Sequence, residues 1–214
     1  TPMTSMKVLA DSLVGQQGVP EELYQEFLSD ITEEIDRENK IITDLLSLVK
    51  MDKKAADMNI VNMNINELLE NILKRLRPIA DQRSIALILD SFRPVTADVD
   101  EVKFTLAISN LVENGIKYNV DEGWVRVTLD ADYKYFYVTV ADSGLGIPED
   151  SIERIFERFY RVDKSHSREI GGTGLGLAIT RSSIVMHHGT IKVSSKEGEG
   201  TTFNVKIPLS YISS

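Results

Sequence analysis

Two glycine-rich segments are the first candidates for a site that binds an anion. Residues 142–147 (DSGLGI) end a predicted strand, and residues 171–176 (GGTGLG) begin a predicted helix. Glycines at the start of a helix let a phosphate approach the backbone N–H groups and the positive end of the helix dipole. No Lys-Ser/Thr pair follows the second segment, which excludes a Walker A loop, and the polar run before it excludes a Rossmann turn. Taken alone, each segment is also typical of an ordinary turn.

A third set of residues lies on a predicted helix that covers residues 110–118. Asn110, Asn114 and Lys117 are spaced by four and three residues, so they share one face of that helix. An amide oxygen suits Mg²⁺, a lysine pairs with phosphate, and the ring of Tyr118 can stack on a base. A polar helix face is also commonly just solvated, so the set gains meaning only in combination.

Residues 21–52 are predicted to form one long helix. Their apolar residues recur at alternating steps of three and four, which is the pattern of a coiled-coil seam, and the stripe is wide enough for a four-helix bundle. Residues 3–13 repeat these steps, and turn residues at 15–20 separate the two helices. We therefore expect a helical hairpin over residues 1–55 that forms a homodimer. The alternative is that the hairpin packs on the rest of its own chain.

Residues 56–214 mix helices with strands. The periodicity predicts helices over 66–79, 98–118 and 175–187, and strands over 85–89, 124–129, 136–140, 190–195 and 201–207. Asp98 followed by Glu101 predicts a capping box for the second of these helices. The last four strands form two antiparallel hairpins. The expected fold class is α+β, with an α/β sandwich whose mixed, mostly antiparallel sheet is covered by helices on one face.

Composition excludes several classes of protein. The absence of cysteine excludes a disulfide scaffold, a thiolate metal site and a cysteine nucleophile. A net charge of −9 argues against general affinity for nucleic acid, which requires a basic surface. No apolar run approaches the roughly 18 residues that span a bilayer. We therefore expect no nucleic-acid partner and no membrane contact by this segment.

In combination, the motifs resemble those of the histidine kinases of two-component signalling, across essentially the whole chain. Residues 110–118 resemble the N box of that family, and residues 142–147 resemble the first glycine box. Residues 155–161 (IFERFYR) resemble the F box, and residues 172–177 resemble the second glycine box. All four occur in the order and spacing of the family.

The resemblance implies a site for ATP with Mg²⁺. Asn114 would hold Mg²⁺ against the triphosphate, Lys117 would contact phosphate, and Arg161 would reach the γ-phosphate, so that Lys117 and Arg161 are the catalytic candidates. Residues from about 160 to 171 would form a lid over the nucleotide. The residues implied to bind ATP are Asn110, Asn114, Lys117, Tyr118, Asp142, Gly144, Gly146, Ile147, Phe159, Arg161, Gly172, Thr173, Gly174, Leu175 and Gly176.

The resemblance also implies how the base is recognised. Tyr118 would pack on adenine, and Asp142 would accept a hydrogen bond from the adenine amino group. Gly144 and Gly146 would leave room for the purine. In topoisomerases, mismatch-repair ATPases and a heat-shock chaperone with the same fold, a glutamate that activates water stands one turn before the Mg²⁺ asparagine. Asn110 stands there in this chain and has no useful basicity, which favours transfer to a protein side chain over hydrolysis.

The first residues resemble the end of the family's H box. The phosphoacceptor histidine would then precede Thr1, so we expect this chain to bind ATP without phosphorylating itself. Thr1 matches a threonine that helps to position water when the partner regulator is dephosphorylated. The resemblance implies a response regulator receiver domain as partner, and a cytoplasmic segment of a membrane-anchored parent. Two alternatives stay open: a nucleotide-sensing interaction module without phosphotransfer, and a kinase acting on serine of a sigma-factor antagonist.

Overall fold

One long helix, α1 (Glu21–Lys53), precedes the mixed part of the chain. The computed structural model describes residues 7–8, 11, 20–53, 58–162 and 172–211. The long helix predicted over residues 21–52 is confirmed. The other arm of the hairpin lies almost wholly outside the described residues, and so does any dimer contact it makes, so the hairpin and its bundle stay predictions. No helix in the described ranges is long and apolar enough to cross a membrane.

The rest of the described chain alternates short helices and strands. In order, these are β1 (Ile60–Asn64), α2 (Ile65–Gln82), β2 (Ala86–Ser91), β3 (Thr96–Asp100), α3 (Glu101–Lys117), β4 (Trp124–Ala131), β5 (Tyr135–Asp142), a 3₁₀ turn (Glu149–Ser151), α4 (Gly176–Met186), β6 (Thr190–Lys196) and β7 (Gly200–Pro208). The three helices and five strands predicted for this part of the chain are all present, with ends shifted by a few residues.

Five strands form one sheet in the order β2-β4-β5-β7-β6. β2 runs parallel to β4, and the other three pairs are antiparallel. Along β4, Val125, Val127 and Leu129 are buried while the residues between them are more exposed. The core lies between this apolar face and helices α2, α3 and α4. The predicted fold class, with a mixed and mostly antiparallel sheet under helices, is confirmed.

A second sheet, which pairs β1 with β3 in antiparallel fashion, was not predicted. It corrects the predicted capping box. Asp98 lies within β3, where its carboxylate accepts the side-chain amide of Asn62 at 2.8 Å, so Asp98 cannot cap α3. The helix begins at Glu101, and the carboxylate of Asp100 caps it by accepting the N–H of Lys103 at 3.0 Å.

His187 joins the end of α4 to the start of α3. Its Nε2 accepts the backbone N–H of Asp100 at 2.9 Å, so Nδ1 carries the proton and donates to the carbonyl of Ser183 at 2.7 Å. Burial lowers the pKa of His187, although these hydrogen bonds and the nearby Asp100 act in the opposite direction. The imidazole is therefore a neutral structural joint between two helices that contribute to the candidate site.

Candidate functional site

Asp142 ends β5 with its carboxylate only partly engaged. Its Oδ1 accepts the backbone N–H groups of Gly144 at 2.9 Å and of Thr201 at 3.2 Å. Burial raises the pKa of Asp142 above its ordinary value, against the lowering effect of these two hydrogen bonds. Within the described ranges, no hydrogen bond engages Oδ2. The carboxylate therefore offers one oriented acceptor in a half-buried setting.

Gly115 brings α3 close to the sheet beneath this carboxylate. A Cβ atom on Gly115 would lie 3.1 Å from the side chain of Val125 and 3.3 Å from the Cβ of Asp142. A larger residue would therefore push the helix away from Asp142. Gly115 was not predicted as a site residue, although a glycine inside an apolar helix is an available sequence signal because it weakens the helix.

The first glycine segment is shaped by contacts within the protein. A side chain on Gly144 would collide with the carbonyl of Tyr118, and one on Gly146 would collide with the carbonyl of Lys196. Gly146 also has a φ of +70°, which favours glycine. Ile147 donates its N–H to the hydroxyl of Ser195 at 2.8 Å. The loop thus needs both glycines whether or not a purine is bound.

Asn119 and Ser143 tie this loop to the end of α3. The side-chain N–H of Asn119 donates to the carbonyls of Gly115 at 2.7 Å and Trp124 at 3.1 Å. The hydroxyl of Ser143 donates to Oδ1 of Asn119 at 3.0 Å and accepts the N–H of Trp124 at 2.8 Å. This network holds the residue next to Asp142 in place. This network was not predicted, because Asn119 lies outside the motifs and Ser143, although it lies in the first glycine segment, was not singled out there.

The predicted polar face of α3 is present, and its three residues differ in surroundings. Asn110 donates its side-chain N–H to the carbonyl of Gly176 at 3.2 Å, which ties α3 to the start of α4. Asn114 is half-buried, and in the described part of the chain its side chain makes no hydrogen bond. Lys117 follows one turn later, with its ammonium 5.8 Å from the centroid of the Tyr118 ring.

Lys117, Tyr118 and Arg161 converge on Gly172 of the second glycine segment. A Cβ atom on Gly172 would lie 3.2 Å from Nζ of Lys117, 3.5 Å from the Tyr118 hydroxyl and 3.9 Å from Cζ of Arg161. Nη1 of Arg161 donates to the Gly172 carbonyl at 2.6 Å. Burial, followed by the charges of Lys40 and Arg161, lowers the pKa of Lys117 to about 8. Two cations held together in this way favour an anionic ligand.

The F-box segment and the second glycine segment are locked together. Phe159 donates its N–H to the carbonyl of Gly174 at 2.9 Å, and both residues have positive φ angles, of 64° and 70°. A Cβ atom on Gly174 would lie 2.9 Å from the Phe159 backbone. Phe159 as a whole is 60 % exposed, whereas Leu175 is fully buried in a small apolar cluster. The side chain of Leu175 is thus part of the core, and only its backbone is available to a ligand.

Thr173 uses its hydroxyl within the protein. It donates to Oδ2 of Asp44 on α1 at 2.8 Å and accepts the N–H of Leu175 at 3.2 Å. Thr1 and most of the predicted lid, residues 163–171, lie outside the described residues. The structure therefore brings together the predicted residues from α3, from the first glycine segment and from the second, and it adds Gly115, Asn119, Ser143 and Thr201.

Comparison with known proteins agrees with this geometry. A family described as "Histidine kinase-, DNA gyrase B-, and HSP90-like ATPase" matches residues 99–211. The sensor histidine kinase WalK of Bacillus subtilis is 32% identical over 97% of this chain. The chain spans only 34% of that relative.

Solved structures show the same fold. The catalytic domain of histidine kinase ThkA covers 72% of this chain and 97% of its own, with a TM-score of 0.64 and 28% identity. Histidine kinase ThkA in complex with the response regulator protein TrrA covers 98% of this chain and 58% of its own, with a TM-score of 0.80 and 24% identity, which supports the fold alone. The resemblance predicted from the four motifs is thereby confirmed, and the chain belongs to the family of histidine kinase-, DNA gyrase B- and HSP90-like ATPases.

Proposed function

We propose that this chain is the kinase core of a sensor histidine kinase, which binds Mg-ATP with its base at Asp142 and its phosphates at Lys117 and Arg161. Residues 56–214 would be the catalytic ATP-binding domain, and residues 1–55 would belong to the dimerisation hairpin. The observation that carries the proposal is the Asp142 carboxylate, because one of its oxygens is fixed by two backbone N–H groups while the other is available.

The chemistry of the Asp142 carboxylate indicates which base the site would bind. An ionised carboxylate only accepts hydrogen bonds, so it favours a base that presents an amino group. Adenine presents an amino group where guanine presents a carbonyl oxygen, which would meet the carboxylate with an unpaired acceptor. Asp142 should therefore select ATP over GTP. The backbone bonds of Gly144 and Thr201 fix the direction of the carboxylate before the base arrives.

The two cations beside Gly172 indicate where the phosphates would bind. Lys117 and Arg161 lie close together although their charges repel, and that repulsion is relieved when an anion binds between them. The guanidinium of Arg161 is suited to a phosphoryl group because its donors form a planar fork. Arg161 would meet the charge that grows on the γ-phosphoryl group during transfer.

A magnesium ion fits this end of the site. Mg²⁺ is commonly held by one or two protein oxygens together with phosphate oxygens. The half-buried amide of Asn114 lies one turn before Lys117 on α3 and would hold the ion against the phosphates, where the ion would neutralise their charge. Asn110 is tied to Gly176 and offers no general base, which supports transfer over hydrolysis.

The proposed phosphoacceptor and the proposed partner both lie outside this chain. We propose that a histidine on the dimerisation helix receives the γ-phosphoryl group and passes it to an aspartate of a response regulator receiver domain. The long helix α1 and the described fold support this proposal, as does the similarity to a sensor histidine kinase, of whose length this chain spans 34%. The parent protein would be membrane-anchored, with this segment on the cytoplasmic side.

Calorimetric titration of the full 214-residue chain with Mg-ATP and Mg-GTP tests the binding site. Asp142→Ala removes the charged acceptor, so ATP affinity should fall by about tenfold to 150-fold, the equivalent of about 1.5 to 3 kcal/mol. The control is Asp90→Ala, whose carboxylate forms a surface pair with Arg126. Equal ATP affinity in Asp142→Ala and the unaltered chain would refute the adenine assignment, and the absence of nucleotide binding by the unaltered chain would refute the proposed function.

A further inference from the structure

Helix α1 lies beside the phosphate end of the candidate site. Three of its residues, at four-residue spacing, contact the elements that form this end. Lys40, Asp44 and Leu48 share one face of the helix because four residues make slightly more than one turn. Nζ of Lys40 lies 3.3 Å from Oε2 of Glu113 on α3, and Oδ2 of Asp44 accepts the Thr173 hydroxyl at 2.8 Å. The same face of α1 thus contacts both elements that carry the phosphate-binding residues.

The third residue of this face fixes the register of α1. Leu48 is only 2 % exposed and packs with Leu175 and Ile179 at the start of α4. Burial of apolar surface is a stronger anchor than an exposed ion pair, which contributes little by itself. Leu48 therefore determines which residues of α1 lie two turns earlier, opposite α3.

Glu113 holds Lys40 over the polar face of α3. It lies three residues after Asn110 and four before Lys117, so it shares their side of the helix. The charge of Lys40 acts on the site, because it is the second largest cause, after burial, of the lowered pKa of Lys117. Lys40 is 59 % exposed at its side chain, so it is able to turn toward a ligand.

We propose that Lys40 is a third cation of the phosphate end, contributed by the long helix rather than by the ATP-binding domain, and that it leaves Glu113 to contact the terminal phosphate of bound ATP. This inference rests on the proposed function. It assigns to α1 a direct part in nucleotide binding. It also makes the site sensitive to the γ-phosphate, because ADP lacks the group that would draw Lys40 away from Glu113.

Titration of the full chain with Mg-ATP and Mg-ADP tests this assignment through the ratio of the two affinities. Lys40→Ala should weaken ATP binding by about threefold to tenfold, the range expected for a charge contact that is partly screened by solvent. ADP binding should stay within about twofold of its original value. Lys40→Arg should keep the preference for ATP, since it keeps the charge. Lys192→Ala, on the edge strand β6, is the matched control and should change neither affinity.

Glu113→Gln separates ligand binding from a merely structural ion pair. The charge of Glu113 also acts on Lys117, so Glu113→Gln is compared in the presence and in the absence of Lys40. If Lys40 served only to pair with Glu113, the gain in ATP affinity from Glu113→Gln would persist in the Lys40→Ala background, whereas the proposal predicts that this gain is lost there. The proposal predicts opposite signs: Lys40→Ala weakens ATP binding, whereas Glu113→Gln releases Lys40 and strengthens it by about threefold. The loss caused by Lys40→Ala should also shrink in high salt.

An unchanged ratio of ATP to ADP affinity in Lys40→Ala would overturn the assignment, and so would tighter binding of ATP. Both results leave the proposed function standing as long as Asp142→Ala still weakens both nucleotides. Failure of the unaltered chain to bind either nucleotide would instead refute the proposed function.

Discussion

Arg161 and Lys117 meet at Gly172, but we expect them to act at different stages. Arg161 is expected to contact charge that develops during transfer, so its contribution should be larger in the transition state than in the bound ground state. In a longer chain that includes the proposed acceptor histidine, Arg161→Ala should lower the rate of autophosphorylation by a factor on the order of 10² or more, with a much smaller loss of ATP affinity. Single-turnover kinetics with labelled ATP, beside equilibrium titration, would compare the two.

A matched variant completes that comparison. Arg154→Ala removes an arginine that pairs with the exposed Glu157 near the same segment and should leave the rate unchanged. If Arg161→Ala lowers the rate only as far as weaker binding explains, Arg161 is a ligand of the ground state and the catalytic assignment is wrong.

Lys117 gives ATP binding a dependence on pH. Its pKa is lowered to about 8 by burial and by the charges of Lys40 and Arg161, so the free protein begins to lose this proton just above neutrality. An anion stabilises the charged form, and ATP binding should therefore take up protons near pH 8. ATP affinity should fall between pH 7 and pH 9. Lys117→Arg should flatten that fall, because arginine keeps its charge throughout the range.

Titration calorimetry in buffers of different ionisation enthalpy measures this proton uptake directly. The unaltered chain should show a slope at pH 8 that Lys117→Arg lacks. An equal slope in both proteins would assign the proton to another group.

The motifs predicted the charged residues of the site well and its supporting residues poorly. Asp142, Lys117 and Arg161 lie in segments whose spacing is fixed, so one sequence is enough to find them. Thr201 lies 59 residues after Asp142 and reaches it only because β5 and β7 pair in a particular register. Asn119 likewise acts through loop geometry, which leaves no periodic signal.

At the scale of elements, the joint between α3 and α4 depends on the protonation state of His187. Burial holds the pKa of His187 below its ordinary value, so the native protein keeps the imidazole neutral where the unfolded chain takes up a proton. The free energy of unfolding should therefore decrease as the pH falls below the unfolded value of about 6.5. His187→Gln should reduce this pH dependence while destabilising the protein at neutral pH.

Urea denaturation at pH 7.5 and pH 5.5 measures the effect. The control is His188→Gln, because His188 is exposed and stacks on Tyr211 at the surface. Equal pH dependence in the unaltered chain and His187→Gln would show that another group titrates.

The two strands that were not predicted are short and rich in Asn and Asp, which are depleted in strands. β1 reads IVNMN and β3 reads TADVD, so both alternate apolar and polar residues over four or five positions, but in β3 the spacing of Asp98 and Glu101 predicted the start of a helix at the same residues. Their pairing places Asp98 in a strand and passes the cap of α3 to Asp100. The long helices and the two β-hairpins were predictable because each repeats its pattern over several turns or residues.

At the scale of the whole molecule, the coiled-coil seam of α1 determines the expected oligomer. Leu28, Ile35 and Ile42 are 52 %, 46 % and 52 % exposed, so this seam is not covered by the described part of its own chain. We expect the full chain to form a dimer through this face. Ile35→Asp would place a charge in an apolar interface and should weaken the dimer by about tenfold or more.

Light scattering over a range of concentrations tests the dimer. Glu33→Lys, two residues away and on the opposite side of the helix, changes the charge without entering the seam and should leave the dimer intact. A full chain that stays monomeric at high concentration would contradict the bundle. Within the described residues, the end of α1 that contains Leu48 packs on Leu175 and Ile179 of the same chain, and light scattering decides between the dimer and packing within the chain for the rest of the helix.

The hydrogen bond from Phe159 to Gly174 makes the geometry of the candidate site independent of the length of residues 160–173. It brings both ends of residues 160–173 together, whatever the residues between them are. Because the entropy of closing a loop changes only slowly with its length, doubling that length should cost about 0.6 kcal/mol. A change in the length of this stretch is therefore expected to leave the positions of Asp142 and Lys117 unchanged. Insertion of four residues, Gly-Ser-Gly-Ser, after Ser165 should shift the midpoint of urea unfolding only slightly. A large shift would show that the fold depends on the length of residues 160–173.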